Sequence, residues 1–123
     1  MSSVPLMAIV DDDDALRTSL DNLLRSVGFR VQGFVSAEAF LRTRHAPEAA
    51  CLILDVRLPG MSGLELQRQL KAAHCSIPII FITAYADDHV RARALAAGAV
   101  AFLSKPCGEE DLLRAIQAAL TPS

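Results

Sequence analysis

Five short apolar runs alternate along the chain with five segments of helical periodicity, and this alternation narrows the possible folds more than any other feature. The runs cover residues 6–10, 30–34, 50–54, 78–83 and 100–103. Each predicts a β-strand, and residues 50–54 are continuously apolar, as in a strand that is buried on both faces. Residues 30–34 alternate polar and apolar side chains, which indicates an edge strand. Strands that alternate with helices predict a parallel sheet covered by helices on both faces.

The helical segments carry recognisable start and stop signals. Gly28 ends the first helix, since glycine adopts positive φ without strain. Four consecutive aspartates precede that helix, and we prefer Asp14 over Asp13 as its N-cap. The other predicted signals are the cap at Ser36, the capping box of Ser62 with Glu65, a start at Asp87 or Asp88, an end at Gly98 and a start near Glu109.

Composition excludes several classes of protein. The 123 residues suit one domain, and 52% apolar with 21% charged residues indicate a folded chain. The net charge is −2 and the 12 Lys and Arg are scattered, so no basic stripe for direct nucleic-acid binding is present. The apolar residues 4–10 are interrupted by Pro5 and have no basic flank, which argues against a signal peptide or a membrane span.

The cysteines and histidines carry no recognisable site. The three cysteines, Cys51, Cys75 and Cys107, follow no metal or redox spacing, so we expect reduced thiols in a cytoplasmic protein. The three histidines, His45, His74 and His89, lack ligand spacing, and we expect them to face solvent.

Polar residues follow four of the five predicted strands. Asp11 and Asp12 follow the first strand and Asp55 the third, while Thr83 ends the fourth and Lys105 follows the fifth. Functional groups of open α/β sheets collect beyond the carboxyl ends of the strands, so we expect these side chains to converge there. Two carboxylates about 4 Å apart repel by about 4 kcal/mol at an effective dielectric of 20, so the site needs a cation. Hard oxygen ligands without His or Cys favour Mg²⁺ over zinc.

The motifs "IVDDDDALR" (9–17), "LILDVRLPGMSGLEL" (52–66), "IIFITAYAD" and "GAVAFLSKP" resemble, in this order and spacing, the receiver domain of bacterial two-component response regulators. "SAEAFL" (36–41) and "DVRLPGMSGLEL" (55–66) further resemble the FixJ-like branch. The resemblance spans about residues 6–120. It implies a flavodoxin-like (CheY-like), doubly wound sheet of order 2-1-3-4-5 with five helices. We take residues 1–123 as one receiver domain, and any output domain would follow residue 123.

The resemblance also implies roles for individual residues. Asp55 would be the phosphoacceptor, and Asp12 would bind Mg²⁺ directly, with Asp11 doing so directly or through water. The backbone carbonyl of Arg57 would be a further metal ligand. Thr83 and Lys105 would contact the phosphoryl group. Phe102 occupies the position of the family's switch aromatic, and the Lys105–Pro106 peptide bond is expected to be cis. The side chains of Arg57 and Tyr85 are expected to modulate the lifetime of the phosphoryl group.

The expected function is therefore a phosphorylation-controlled switch in two-component signalling. A sensor histidine kinase, a phosphotransfer protein or a small acyl phosphate would supply the phosphoryl group, and the domain would catalyse only its own modification. The surface of the fourth helix, fifth strand and fifth helix would report the change to a partner. The smooth face formed by Val90, Ala94 and Ala97 favours a homodimer, whereas Arg91 and Arg93 equally suit another partner. A C-terminal DNA-binding output domain, and hence transcriptional regulation, fits the FixJ-like resemblance.

Three other functions compete with this interpretation. A Mg²⁺-dependent phosphatase with an Asp nucleophile would need a second acid where this chain has Arg57, and also a cap domain. A flavodoxin-like nucleotide or flavin binder would need a phosphate loop after the first strand, where the aspartates repel phosphate. The more serious alternative is a receiver-like dimerisation or interaction module that works without phosphorylation.

Overall fold

The computed structural model describes residues 4–43 and 48–121. Within them, strands and helices alternate as the sequence predicts. In chain order the elements are β1 (Leu6–Val10), α1 (Asp14–Ser26), β2 (Arg30–Phe34), α2 (Ala37–Arg42), β3 (Cys51–Leu54), α3 (Gly63–Ala72), β4 (Ile79–Thr83), α4 (Asp88–Ala96), β5 (Ala101–Ser104) and α5 (Glu109–Leu120). Three strands begin one residue later than predicted, at Cys51, Ile79 and Ala101, and β5 extends to Ser104 because that residue pairs with Thr83.

All neighbouring strands pair in parallel, in the order β2-β1-β3-β4-β5. This confirms the predicted fold and the edge position of β2. β1 and β3 are neighbours, and Val10 pairs with Leu54. The residues that follow these two strands, Asp11 and Asp55, therefore lie side by side at the carboxyl edge of the sheet.

Two apolar layers hold the helices to the sheet, because successive strand residues point to opposite faces. One layer gathers Phe40, Leu66 and Ala94 from α2, α3 and α4 over Leu54 and Phe81. The other gathers side chains of α1 and α5 over the opposite face of the sheet, and its fully or almost fully buried members include Ile9, Leu24, Ile53, Ile80, Leu112 and Ile116. Burying one such side chain contributes about 1.5–3 kcal/mol to the stability of the fold. The strands whose ends carry the acidic residues are therefore held in place by the core on both faces of the sheet.

The cap of α1 differs from the prediction. Asp13, not Asp14, is the N-cap: its backbone is extended (φ −83°, ψ 108°), and its side chain accepts a hydrogen bond from the Leu16 N–H. The Asp11 carboxylate accepts the Asp13 N–H at 2.9 Å, which fixes the turn one residue earlier than a cap at Asp14 would need. Asp14 is instead the first helical residue and pairs with Arg17.

Helix α4 turns Val90 and Ala94 inward, against the prediction that they form part of a smooth outer face. Ala94 is fully buried, and Val90 packs against the layer that contains Phe102. The buried Gln67 side chain of α3 also donates a hydrogen bond to the Ala94 carbonyl at 3.0 Å. Because Val90 and Ala94 already contact the core, a partner on α4 would meet the exposed Arg91 and Arg93.

Other predicted local features are confirmed. Ser36 and Ser62 cap α2 and α3, and Asp87 caps α4. Gly28 and Gly98 follow their helices with φ of 101° and 105°. The three cysteines are free, and burial raises the pKa of Cys51 to about 12. His74 and His89 are exposed, whereas His45 lies outside the described residues.

Candidate functional site

Three carboxylates meet at the carboxyl edge of the sheet. One oxygen each from Asp11, Asp12 and Asp55 lies within 4.8 Å of the others. Asp11 and Asp55 are 3% and 6% exposed, whereas Asp12 is open to solvent. The sequence prediction that these residues converge is confirmed.

Lys105 bridges the two buried carboxylates. Its Nζ donates hydrogen bonds to Oδ2 of Asp55 at 2.9 Å and to Oδ2 of Asp11 at 3.0 Å. Burial alone would lower the pKa of Lys105, but the hydrogen bonds that its ammonium group donates to Asp55 and Asp11 outweigh burial and raise that pKa. The ammonium group is therefore charged at neutral pH and offsets part of the negative charge of the cluster. The Lys105–Pro106 peptide bond is cis, as expected.

Asp11 is fixed from both its side chain and its backbone. Its Oδ1 accepts the Asp13 N–H, and its main-chain carbonyl accepts a hydrogen bond from Arg17 Nη1 at 2.6 Å. Burial raises the pKa of the Asp11 carboxyl; the nearby Asp55 charge adds to this, and the hydrogen bonds from Asp13 and Lys105 oppose it. Removing this carboxylate from water without a full counter-charge is unfavourable, and a bound cation would offset that cost.

Asp55 is held by the loop that follows it. Its Oδ1 accepts the Arg57 N–H at 3.2 Å, and its own N–H donates to the Val10 carbonyl at 3.1 Å. The first residue of α3, Gly63, lies directly against the Asp55 carbonyl, and an added Cβ would sit 2.1 Å from that oxygen. Position 63 therefore tolerates no side chain in this backbone arrangement.

Thr83 lies beneath the site surface, not on it. It is fully buried, its Oγ1 accepts the Tyr85 N–H at 3.1 Å, and its carbonyl accepts the Lys105 N–H at 2.9 Å. The threonine thus ties the end of β4 to the loop that carries Lys105. Its hydroxyl hydrogen remains able to donate to an oxygen placed over Asp55.

Arg57 and Tyr85 form one wall of the site cavity. The guanidinium of Arg57 lies 4.1 Å from the centroid of the Tyr85 ring, a cation–π contact between two exposed side chains. The cavity has a volume of about 400 Å³ and is lined by these two residues together with Asp11, Asp12, Asp13, Asp55, Leu58, Pro59, Ala84 and Lys105. Such a volume accommodates a phosphoryl group and a hydrated ion.

Phe102 does not line this cavity. Its side chain is 5% exposed and packs against Phe81, with ring centroids 6.0 Å apart. The aromatic ring therefore lies in the same apolar layer as Ala94 of α4, which places it between the sheet and that helix.

The donor set fits a small hard cation. The three carboxylate oxygens lie within 4.8 Å of one another and are hard donors, the kind that Mg²⁺ binds at about 2.0–2.1 Å. The group contains neither His nor Cys, the ligands that favour zinc.

Two residues that support the site escaped the sequence prediction. Arg17 holds the Asp11 carbonyl, and Glu38 of α2 accepts the Met61 N–H in the loop after Asp55 at 2.9 Å. Arg17 and Glu38 are respectively 6 and 23 residues away from their partners. Both are single polar contacts between different parts of the chain, and the periodic spacing of apolar residues does not predict such contacts.

A parallel sheet of order 2-1-3-4-5, with carboxylates gathered beyond its first and third strands, defines a CheY-like α/β domain. Comparison with known proteins agrees: the family model described as "Response regulator receiver domain" matches residues 7–117. The chain belongs to the response regulator receiver domain family, and so to the signalling proteins of two-component systems.

Individual relatives support a FixJ-like position within the family. The chain is 51% identical over 112 residues to response regulator protein TodT of Pseudomonas putida, a match that covers 91% of this chain and 49% of TodT. It is similar to the solved structure of response regulator StyR (TM-score 0.88, 51% identity, 96% of this chain and 60% of that one). It also resembles FixJ-N (TM-score 0.84, 39% identity, 98% and 95%). The chain thus spans about half the length of the curated relatives it matches.

Proposed function

We propose that the domain accepts a phosphoryl group on Asp55 and thereby switches a partner or an output domain. The observation that carries the proposal is the pairing of the buried Asp55 carboxylate with the Lys105 ammonium, 2.9 Å away, inside a cluster that can hold a metal. A nucleophilic carboxylate, a fixed cation and a metal site are the parts that phosphoryl transfer requires.

The chemistry follows from the positions of these groups. An Asp55 carboxylate oxygen attacks phosphorus, and the bond between phosphorus and the donor's imidazole nitrogen breaks with its electron pair remaining on nitrogen. The product is an acyl phosphate on Asp55. Mg²⁺ held by Asp11, Asp12, Asp55 and the Arg57 carbonyl would offset charge on the phosphoryl oxygens when bound. Lys105 exchanges its contact with Asp55 for a phosphoryl oxygen, and Thr83 donates its hydroxyl hydrogen to another.

A local switch then connects the site with the sheet surface. Movement of Thr83 toward the phosphoryl group would open space behind it for Phe102, which packs beside Phe81 in the layer shared with α4. This couples the charge on Asp55 to α4, β5 and α5 as a two-state change of population. Any homodimer on this face would use exposed residues of α4, such as Arg91, because Ala94 is buried.

The domain's setting is part of the proposal. A sensor histidine kinase or a phosphotransfer protein is the expected donor, and residues 1–123 are the receiver domain of a longer regulator with a DNA-binding output domain after residue 123. The supporting observation is that TodT, a response regulator, is about twice as long as the matched region. The domain catalyses only its own phosphorylation and dephosphorylation. Three free cysteines fit the reducing environment of the cytoplasm, which is the proposed location. Among residues 4–43 and 48–121, no helix has the length and apolar character needed to cross a bilayer.

The lifetime of the phosphoryl group would depend on Arg57 and Tyr85. Their side chains are in contact and line the cavity, where we expect them to restrict the approach of water to Asp55. A bulky ring at position 85 is therefore expected to slow autodephosphorylation.

The proposal is tested by the intact mass of the protein after incubation with Mg²⁺ and acetyl phosphate. We expect the parent to gain one phosphate, Asp55→Asn to gain none, and a chelator to prevent the gain. Asp12→Asn, which leaves Asp55 in place, is expected to lose the Mg²⁺ dependence together with most of the rate.

A folded parent that gains no phosphate would refute the proposal and favour the module that works without phosphorylation. A gain by Asp55→Asn equal to that of the parent would show that the acceptor is another residue.

A further inference from the structure

The loop between β3 and α3, residues 55–62, carries both Asp55 and the Arg57 carbonyl. Two local hydrogen bonds hold it, one within the loop from the Arg57 N–H to Asp55 Oδ1 and one from the N–H of Gly63, the first residue of α3, to the Val56 carbonyl. A third comes from a different element, since the Met61 N–H donates to Oε2 of Glu38 on α2 at 2.9 Å. The loop is thereby tied to a helix that contributes no residue to the acidic cluster.

The Glu38 carboxylate lies directly against the loop backbone. Gly60 has φ of 76°, and a Cβ at this position would sit 2.4 Å from Oε2 and 3.2 Å from Cδ of Glu38. The missing side chain of Gly60 is what allows the carboxylate to reach the Met61 N–H. Oε1 of Glu38 is also buried, and it accepts no hydrogen bond from any residue that the structure describes.

The base of Glu38 is fixed as well. The residue lies in the first turn of α2, which Ser36 caps by accepting the Ala39 N–H at 3.0 Å, and the neighbouring Phe40 is fully buried. The Met61 N–H lowers the pKa of the Glu38 carboxyl, so the group is ionised at neutral pH and forms a charge-assisted hydrogen bond. The ionised Glu38 carboxylate, fixed on α2, therefore restrains the Met61 N–H more strongly than a hydrogen bond to water would.

We propose that Glu38 is a positioning residue for the phosphoacceptor site: it fixes the loop that presents the Arg57 carbonyl to the metal. The inference rests on the proposed function, because it assumes that this carbonyl is a metal ligand. Groups that orient metal ligands typically change metal affinity about 10- to 100-fold when they are removed. Glu38 acts through four peptide units, so an effect near the lower end, about tenfold, is expected.

The test compares Glu38→Ala and Glu38→Gln with the parent. Glu38→Gln loses the charge but keeps an oxygen for the Met61 N–H. Its NH₂ group can take the place of Oε1, which accepts no hydrogen bond from the residues that the structure describes. Glu38→Ala loses both. Glu110→Ala, which removes an exposed carboxylate from the first turn of α5, is the control for net charge. Urea unfolding of each variant shows whether it remains folded.

Two measurements are made on each protein without phosphorylation. The first is the hydrogen-exchange rate of the Met61 amide in metal-free protein, which we expect to rise about tenfold in Glu38→Ala. The second is the Kd for Mg²⁺, followed by the NMR shifts of the amides around Asp12 and Arg57. We expect Kd to rise about tenfold in Glu38→Ala, and to stay within about twofold of the parent in Glu38→Gln and Glu110→Ala.

The outcomes separate this inference from the proposed function. If the parent binds Mg²⁺ and Glu38→Ala binds it equally well, the positioning role is refuted while the proposed function stands. Equal losses in Glu38→Gln and Glu38→Ala would also refute it, because charge and not the hydrogen bond would then be responsible. If the parent itself fails to bind Mg²⁺, the proposed function fails first and this inference fails with it.

Discussion

Among substitutions of glycine by alanine, we expect Gly63→Ala to cause the largest loss of stability. The added Cβ would lie 2.1 Å from the Asp55 carbonyl oxygen, 3.0 Å from its carbonyl carbon and 3.1 Å from the Val56 Cα. All three atoms belong to the backbone, so no side-chain rotation relieves the overlap. The start of α3 or the end of β3 must move instead.

The magnitude follows from two contributions. Overpacking of this kind costs about 1–3 kcal/mol, and movement of α3 weakens the 2.8 Å hydrogen bond from the Gly63 N–H to the Val56 carbonyl, worth about 1 kcal/mol. We expect a loss of about 3 kcal/mol in the free energy of unfolding. With a urea m-value of about 1.5 kcal/mol/M, the midpoint would fall by about 2 M.

Two other glycines provide matched controls. Gly98 has φ of 105° and open space where a Cβ would lie, so Gly98→Ala tests backbone strain alone and is expected to cost about 1 kcal/mol. Gly108 has an ordinary φ of −73° and open space where a Cβ would lie. Alanine lowers the conformational entropy of the unfolded chain, which stabilises the protein, but it is a poorer N-cap than glycine, so we expect Gly108→Ala to be close to neutral. A Gly63→Ala protein as stable as Gly108→Ala would refute the steric reasoning.

Three further predictions concern the site itself. Asp11→Asn is expected to stabilise the metal-free protein at pH 7, because burial raises the pKa of Asp11 and the fold therefore disfavours the charged carboxylate. The gain should vanish in urea unfolding at about pH 3, where the carboxyl is protonated in both the folded and the unfolded state. Lys105→Met is expected to destabilise the metal-free protein by about 2 kcal/mol, because Asp11 and Asp55 are left without their shared donor, and Mg²⁺ should restore part of this loss in the same assay. Tyr85→Ala is expected to shorten the phosphoryl lifetime, measured as the decay of phosphorylated mass after removal of acetyl phosphate; a lifetime equal to that of the parent would contradict the shielding role.

The fold and the centre of the site were predictable because they depend on patterns with a fixed period. Apolar runs such as residues 50–54 specify buried strands, and parallel pairing places every strand's C-terminal end at one edge. Asp11, Asp55 and Lys105 lie at such ends, so their convergence required only the order of the strands. The motifs that resemble the receiver family supplied that order.

The orientation of α4 and the cap of α1 were not predictable in the same way. The α4 sequence "DHVRARALA" places arginine and alanine on several sides of the helix, so no apolar stripe specifies the inward face. Contact of Ala94 with the core, together with the Gln67 hydrogen bond, decides it. At α1, the sequence favoured Asp14 over the adjacent Asp13, but the Asp11 carboxylate accepts the Asp13 N–H and so makes Asp13 the cap.

The two supporting contacts that patterning missed share a feature that the sequence does contain, namely a glycine opposite the side chain. A Cβ at Gly60 would sit 2.4 Å from Glu38 Oε2, so that contact requires the glycine, whereas a Cβ at Gly33 would lie 3.4 Å from Arg17 Cδ, an ordinary contact distance. A glycine can indicate that another group approaches the backbone closely. It shows where a side chain can reach the main chain near this site, but not which side chain does so. The identity of that side chain depends on helix packing, which only the structure provides.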